Sequence, residues 1–185
     1  MAIRPRVYIA ASLLSLAAAG GTRGAVGDSA PDHLVLTYRF QTRAAPAKAY
    51  ASVVDVAHWW SSDHTYSGNA RNLAMTARAG GCWCETWNGG SVQHMTVLLA
   101  MPGKLLRLSG GLGPLQGAAL AATLTFELKP AAAGSEVTVS YVVGGFIGGG
   151  LDKIAPGVDG VLGAQLQRLG RLIDTGSAEE AAKKS

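Results

Sequence analysis

This 185-residue chain has almost no excess of charge once its first residues are set aside. Of its 16 Lys/Arg, three (Arg4, Arg6 and Arg23) precede the first acidic residue, Asp28, which leaves 13 against 12 Asp/Glu beyond it. A domain so near neutrality lacks the electrostatic footprint of a polyphosphate partner, so no nucleic acid is expected among its partners. Nucleotide signatures are missing too. The glycine runs at 110–117 and 144–150 have no GK[ST] ending, and neither joins a parallel strand to a helix. There is no G-x-S-x-G elbow and no H-E-x-x-H helix. Cysteine is scarce: Cys82 and Cys84 are the only two. Two thiolates are too few for a closed zinc site, so no metal and no cofactor are expected.

The first residues resemble an export signal. Arg4 and Arg6 give a positive start, and Val7 to Ala19 is an apolar run ending in three alanines. That run falls short of the roughly 20 residues a membrane span needs. No cysteine follows it, which excludes a bacterial lipid-attachment site. Cleavage is expected after Ala19 or after Gly27. Residues 1–27 are therefore assigned to the signal and its cleavage region, 28–32 to a linker, 33–174 to a single domain and 175–185 to a flexible tail. The expected location is periplasmic or secreted, with no stable membrane span once the signal is removed.

In the mature chain, hydrophobic content of 48% against 15% charged residues describes a globular domain. Over 33–41, Leu34, Leu36, Tyr38 and Phe40 alternate with Val35, Thr37 and Arg39, as a half-buried strand requires. Pro46 suits a first helical turn, and apolar residues from Tyr50 to Trp60 recur at helical spacing, which predicts a helix over 46–60. Strands are expected near 72–78, 81–87, 91–101, 104–109, 119–129 and 136–143, with Asn88-Gly89 as a hairpin turn. A last helix over about 156–174 carries the stripe Val158, Val161, Leu162, Leu169 and Ile173, interrupted by four glycines. Each such glycine costs a helix about 1 kcal/mol relative to alanine. Close packing or free space beside the helix is the expected reason for them.

Trp59-Trp60 after the first helix, Gly80-Gly81-Cys82-Trp83-Cys84-Glu85 opening a strand, and the closing Gly-rich turn before the terminal helix carry a resemblance. Over residues 33 to 174 the chain resembles the START-like, or SRPBCC, helix-grip superfamily, in the branch related to Hsp90-ATPase-activator homologues and polyketide cyclases. The resemblance implies an α+β helix-grip fold, with a curved antiparallel sheet of about six to seven strands wrapped around a long C-terminal helix. It also implies binding of apolar ligands between that helix and the sheet. An export signal fits poorly with a cytosolic Hsp90-activating role. Folds of this kind host many functions, so the site has to be argued from its residues.

With a two-residue turn at Asn88-Gly89, Glu85 faces Val92 and Trp83 faces His94. This groups Trp83, Glu85 and His94 on one side of the sheet, and Cys82, Cys84 and Met95 on the other. A carboxylate and an imidazole so placed could share a proton or orient a water, which makes Glu85 and His94 the candidate catalytic pair. The apolar run Cys82, Cys84, Met95, Val97 and Leu99 is nevertheless the expected inward face. That places the pair on the convex side and reads the cysteines as small buried apolar side chains. His58, Asp63 and His64 cluster near the expected cavity mouth as a solvated loop. Candidate ligand-binding residues are Trp60, Trp83, Tyr141, Phe146, Gly160 and Ala164.

These features predict an exported binding protein for a hydrophobic small molecule or lipid. The alternatives are a cyclase-like or hydrolytic enzyme using Glu85 and His94, or a partner-binding domain without a true cavity.

Overall fold

A computed structural model describes residues 23–180, so the expected signal over 1–22 lies outside the described residues. Eight strands form one antiparallel sheet: β1 (Arg23–Ala30), β2 (His33–Thr42), β3 (Leu73–Met75), β4 (Cys82–Trp87), β5 (Gly90–Met101), β6 (Leu105–Ser109), β7 (Ala119–Ala131) and β8 (Gly134–Phe146). Their spatial order is β1-β2-β8-β7-β6-β5-β4-β3, and the sheet is curved and unclosed. Helix α1 (Pro46–Val54) follows β2, and the long helix α2 (Leu151–Thr175) ends the fold. This is the α+β helix-grip architecture.

Period-two alternation builds the inner face. Leu34, Leu36, Tyr38 and Phe40 of β2 are buried, as are Leu124, Phe126 and Leu128 of β7 and Val137, Val139, Tyr141 and Val143 of β8. Removing each such side chain from water stabilises the fold by about 1.5–3 kcal/mol. Helix α2 packs across β1 and β2. The Tyr38 hydroxyl donates to Asp159 Oδ1 of α2 at 2.6 Å, and burial together with that carboxylate pushes the Tyr38 pKa up.

Several expectations change. The sheet has eight strands, because residues 23–30, expected as cleavage region and linker, pair antiparallel with β2 from Arg23↔Arg39 to Ala30↔His33. An edge strand draws on backbone pairing, here with α2 packed on it as well, so RGAVGDSA forms a strand with Val26 as its one β-branched residue. Helix α1 stops at Val54 rather than running to Trp60. Asp55 leaves helical geometry with φ −82° and ψ 58°, and a short 3-10 turn (Val56–His58) follows. Helix α2 starts at Leu151, five residues before Pro156, so the proline sits inside the helix. The tail is also ordered further than expected. Gly176, with φ +80°, reverses the chain so that Arg168 grips Glu179 at 2.6 and 3.1 Å and Arg171 donates to the Ala178 carbonyl.

Close packing, one of the expected reasons, accounts for two of the helical glycines. A Cβ on Gly163 would rest 3.6 Å from the Tyr38 ring, and one on Gly170 would rest 3.8 Å from the Phe40 ring. At Gly160 a Cβ would meet nothing within 4 Å, and the residue is exposed. Gly160→Ala is therefore expected to raise stability by about 0.5–1 kcal/mol. Urea unfolding measures this, and an unchanged or lower midpoint would contradict it.

Candidate functional site

The wall of the site starts at the turn after α1. Trp59 and Trp60 are both buried and meet Trp83 of β4 in a three-ring cluster, with centroids 5.4 Å (Trp59–Trp60), 5.1 Å (Trp60–Trp83) and 6.1 Å (Trp59–Trp83) apart. Aromatic pairs at these separations add about 0.5–1.5 kcal/mol each beyond their burial. Trp59 Nε1 donates to the Val53 carbonyl and Trp60 Nε1 to the His64 carbonyl. Two polar residues of α2 lock this turn: Gln165 Oε1 accepts from the Ser61 amide at 2.7 Å, and Arg168 Nε donates to the Trp59 carbonyl at 2.8 Å.

The Asn88-Gly89 turn sets Trp87↔Gly90 and Glu85↔Val92, as expected. Beyond Cys84↔Gln93 the register shifts to Trp83↔Met95, which leaves His94 as the extra residue of a β-bulge. The inward face of β4 is Trp83 and Glu85, not Cys82 and Cys84. Glu85 is fully buried and His94 nearly so, with Nε2 of the imidazole 3.1 Å from Glu85 Oε2. The convex placement expected for this pair is thereby corrected. An uncompensated buried carboxylate is far costlier than two buried cysteines, but Glu85 is compensated. The Tyr66 amide donates to its Oε2 at 3.1 Å and the Ser67 amide to its Oε1 at 2.5 Å. Those donors come from a loop 18 and 19 residues away, which no strand pattern reveals.

Cys82 and Cys84 lie half-buried on the opposite face of β4 and form a disulfide, so they are not the free apolar side chains expected. Their Cα atoms are 5.4 Å apart, where two extended residues would span about 6.6 Å. The strand is shortened beside the bulge. A second bulge between Val97 and Leu99 leaves Val97 buried and Leu98 and Leu99 exposed, which corrects the inward assignment of Leu99.

Burial pushes the Glu85 carboxyl up, but the hydrogen bonds from Ser67, Tyr66 and His94 outweigh it and hold the pKa below its ordinary 4.5. Burial lowers the His94 pKa below its ordinary 6.5, against the opposing pull of Glu85. In both cases the unfolded chain binds the proton more tightly than the folded one, so acid favours unfolding. The stability these groups confer is complete above 6.5. It falls first through His94 as pH drops, then through Glu85 below 4.5. The stability difference between the native protein and His94→Gln is therefore expected to shrink as pH falls below 6.5. Denaturant midpoints on either side of that pH measure it, and a pH-independent difference would contradict it.

Between the sheet and α2 lies a pocket of about 780 Å³. Helix α2 contributes one face to it, with Ile154, Val158, Val161 and Leu162 at helical spacing, together with Gly157 and Lys153. Opposite stand Trp60, Tyr141, His94 and the turn containing Leu112 and Leu115. Tyr66 and His64 edge it, with the Tyr66 ring 5.8 Å from the His94 ring. The Tyr141 hydroxyl accepts from the Leu112 amide at 3.0 Å, and burial pushes its pKa up to about 12.

Trp60 and Tyr141 line this pocket. Trp83 lies behind the wall in the indole cluster, 6.0 Å from the His94 ring. Phe146, Gly160 and Ala164 are exposed and outside the lining, so they are corrected as ligand-binding residues. The start of α2 at Leu151 is the reason. It brings Lys153, Ile154, Gly157 and Val158 onto the cavity, so the glycine beside the free space is Gly157 and not Gly160 as expected. The polar cluster separates: His58 pairs with Asp55 at 2.6 Å, Asp63 bonds to Ser61, and only His64 reaches the pocket.

No protein-family model matches the chain, and no curated protein matches its sequence. Solved structures do share its fold. CalU16 from Micromonospora echinospora matches with a TM-score of 0.56 at 15% identity, over 85% of this chain and 88% of that one. EF2215 from Enterococcus faecalis, a conserved protein of unknown function, matches with a TM-score of 0.57 at 12% identity, over 85% and 80%. An uncharacterised protein from Rhizobium leguminosarum gives 0.55 at 16% identity, over 82% and 97%. At these identities the likeness concerns the fold alone.

Proposed function

We propose that this protein binds a hydrophobic small molecule or lipid in the pocket between the sheet and α2, as an exported, START-like (SRPBCC) binding protein. The observation that carries the reading is the pocket itself. Its 780 Å³ lies within the range of about 300–1,000 Å³ in which proteins hold drug-sized ligands, and its walls are apolar with few polar groups. The resemblance to the branch of Hsp90-ATPase-activator homologues and polyketide cyclases supports the same reading. Export is supported by the apolar run from Val7 to Ala19 and by the Cys82–Cys84 disulfide, which suits an oxidising compartment. Cleavage after Ala19 leaves β1 whole, whereas cleavage after Gly27 would remove Arg23 to Gly27, more than half of it. Among the described residues no helix is long and apolar enough to cross a membrane.

The test is a fluorescence titration with N-phenyl-1-naphthylamine, a neutral apolar dye that brightens out of water. One saturable site per chain, with quenching of tryptophan emission through Trp60 in the pocket wall, is the expected result. Enhancement that never saturates would contradict it.

A second reading has its own observation: Glu85 and His94 are hydrogen-bonded and buried at the pocket wall. A carboxylate-oriented imidazole can act as a general base, as a hydrolytic or cyclase-like enzyme needs. Hydrolysis of p-nitrophenyl esters that is lost in His94→Gln would support this reading. Equal rates in both proteins would remove it.

A further inference from the structure

The Glu85–His94 pair also constrains what the pocket can hold. Ionised Glu85 can only accept hydrogen bonds, so the imidazole nitrogen facing it, Nε2, carries the proton. With His94 neutral, its other nitrogen, Nδ1, is then a fixed acceptor. Nδ1 has no hydrogen-bond partner among the described residues, although His94 is only 6% exposed and lines the pocket. Of the other polar groups of the wall, the His64 imidazole is exposed at the edge, and those set deeper are already engaged. The Tyr141 hydroxyl is held by Leu112 and Gly110, Trp60 Nε1 by His64, and the Tyr66 hydroxyl by Gly113 and Gln116. Lys153 stands at the solvent edge, 76% exposed and paired with Asp152.

We propose that the ligand of this pocket is an uncharged apolar molecule bearing a hydroxyl group, alcohol or phenol, which donates its hydrogen bond to Nδ1 of His94. This rests on the pocket-binding reading above and names its ligand class. An ether of the same shape offers only an acceptor to an acceptor and leaves Nδ1 unpaired. A polar atom that opens on a pocket loses its hydrogen bond to water when a ligand covers it without pairing, and binding sites discriminate strongly at such atoms. A carboxylate is worse still, because it brings a second negative charge toward buried Glu85.

Three competitors against bound N-phenyl-1-naphthylamine test this in the native protein: 2-naphthol, 2-methoxynaphthalene and 2-naphthoate. The first should displace the dye at about five- to tenfold lower concentration than the second, and the third should be weakest. In His94→Phe the ratio between naphthol and its methyl ether should fall to about one. Nitrogen-15 spectra of the native protein supply a measurement that needs no variant. The Nδ1 resonance of His94 should be that of an unprotonated nitrogen and should move with 2-naphthol but not with the ether. Equal competition by naphthol and ether, or an unresponsive Nδ1, would overturn the ligand class while leaving the pocket intact. Failure of the dye to bind at one saturable site would overturn the pocket reading itself and this proposal with it.

Discussion

Glu85→Ala is expected to destabilise the protein by about 3 kcal/mol or more, because several donors lose one shared acceptor and each orphaned group costs about 1–3 kcal/mol. Three donors converge on this carboxylate: the amides of Tyr66 and Ser67, and His94 Nε2. Alanine leaves all three without a partner at a position with no solvent exposure, and each orphaned group carries its own desolvation penalty. It also releases the 65–69 loop from β4, which opens the pocket beside Tyr66. Glu85→Gln should cost less, because the amide oxygen can still accept while the amide nitrogen must face a donor. Denaturant unfolding of both variants measures the order. A Glu85→Ala midpoint within error of the native value would mean that the 66–67 loop is not anchored there.

Filling the pocket from α2 is expected to have the largest effect on binding. Val158 and Val161 both project from the α2 face that lines it. The double variant Val158→Trp/Val161→Trp places two indoles into existing free space, so neighbouring side chains need not move far. Overpacking penalties of about 1–3 kcal/mol belong to filled cores, and the loss of stability here should fall below that range. Binding of N-phenyl-1-naphthylamine should weaken tenfold or more, equivalent to about 1.4 kcal/mol. The same affinity in both proteins would place the dye elsewhere on the molecule.

The fold was largely legible because its inner face is written at period two. Leu34 to Phe40 and Val137 to Val143 alternate without interruption, and each inward position is buried. What escaped the pattern is held by backbone pairing and by contacts between segments far apart in sequence. Strand β1 is held by its ladder to β2 and by α2 packed on it, neither of which its own sequence shows, and the first five residues of α2 were hidden by Pro156. The docked tail depends on the fork between Arg168 and Glu179.

At the site, the grouping of Trp83, Glu85 and His94 on one face followed from the Asn88-Gly89 turn. Their side of the sheet did not, since it depends on amides at 66 and 67 that become donors to Glu85 only after the chain has folded. The bulges at His94 and after Val97 break the alternation of β5 at the residues that face the site. Gln165 and Arg168 left one faint signal: both fall near the apolar stripe of α2, where a polar residue needs a buried partner. They find it in the turn of Trp59 and Ser61.

The most direct test of the central claim is a native mass spectrum of the purified protein, taken with an organic extract of the same sample. The expected result is an apolar, hydroxyl-bearing molecule bound near one per chain, released by the extract and absent from the Val158→Trp/Val161→Trp protein. A molecule that persists equally in that variant would contradict the claim that this pocket is the binding site.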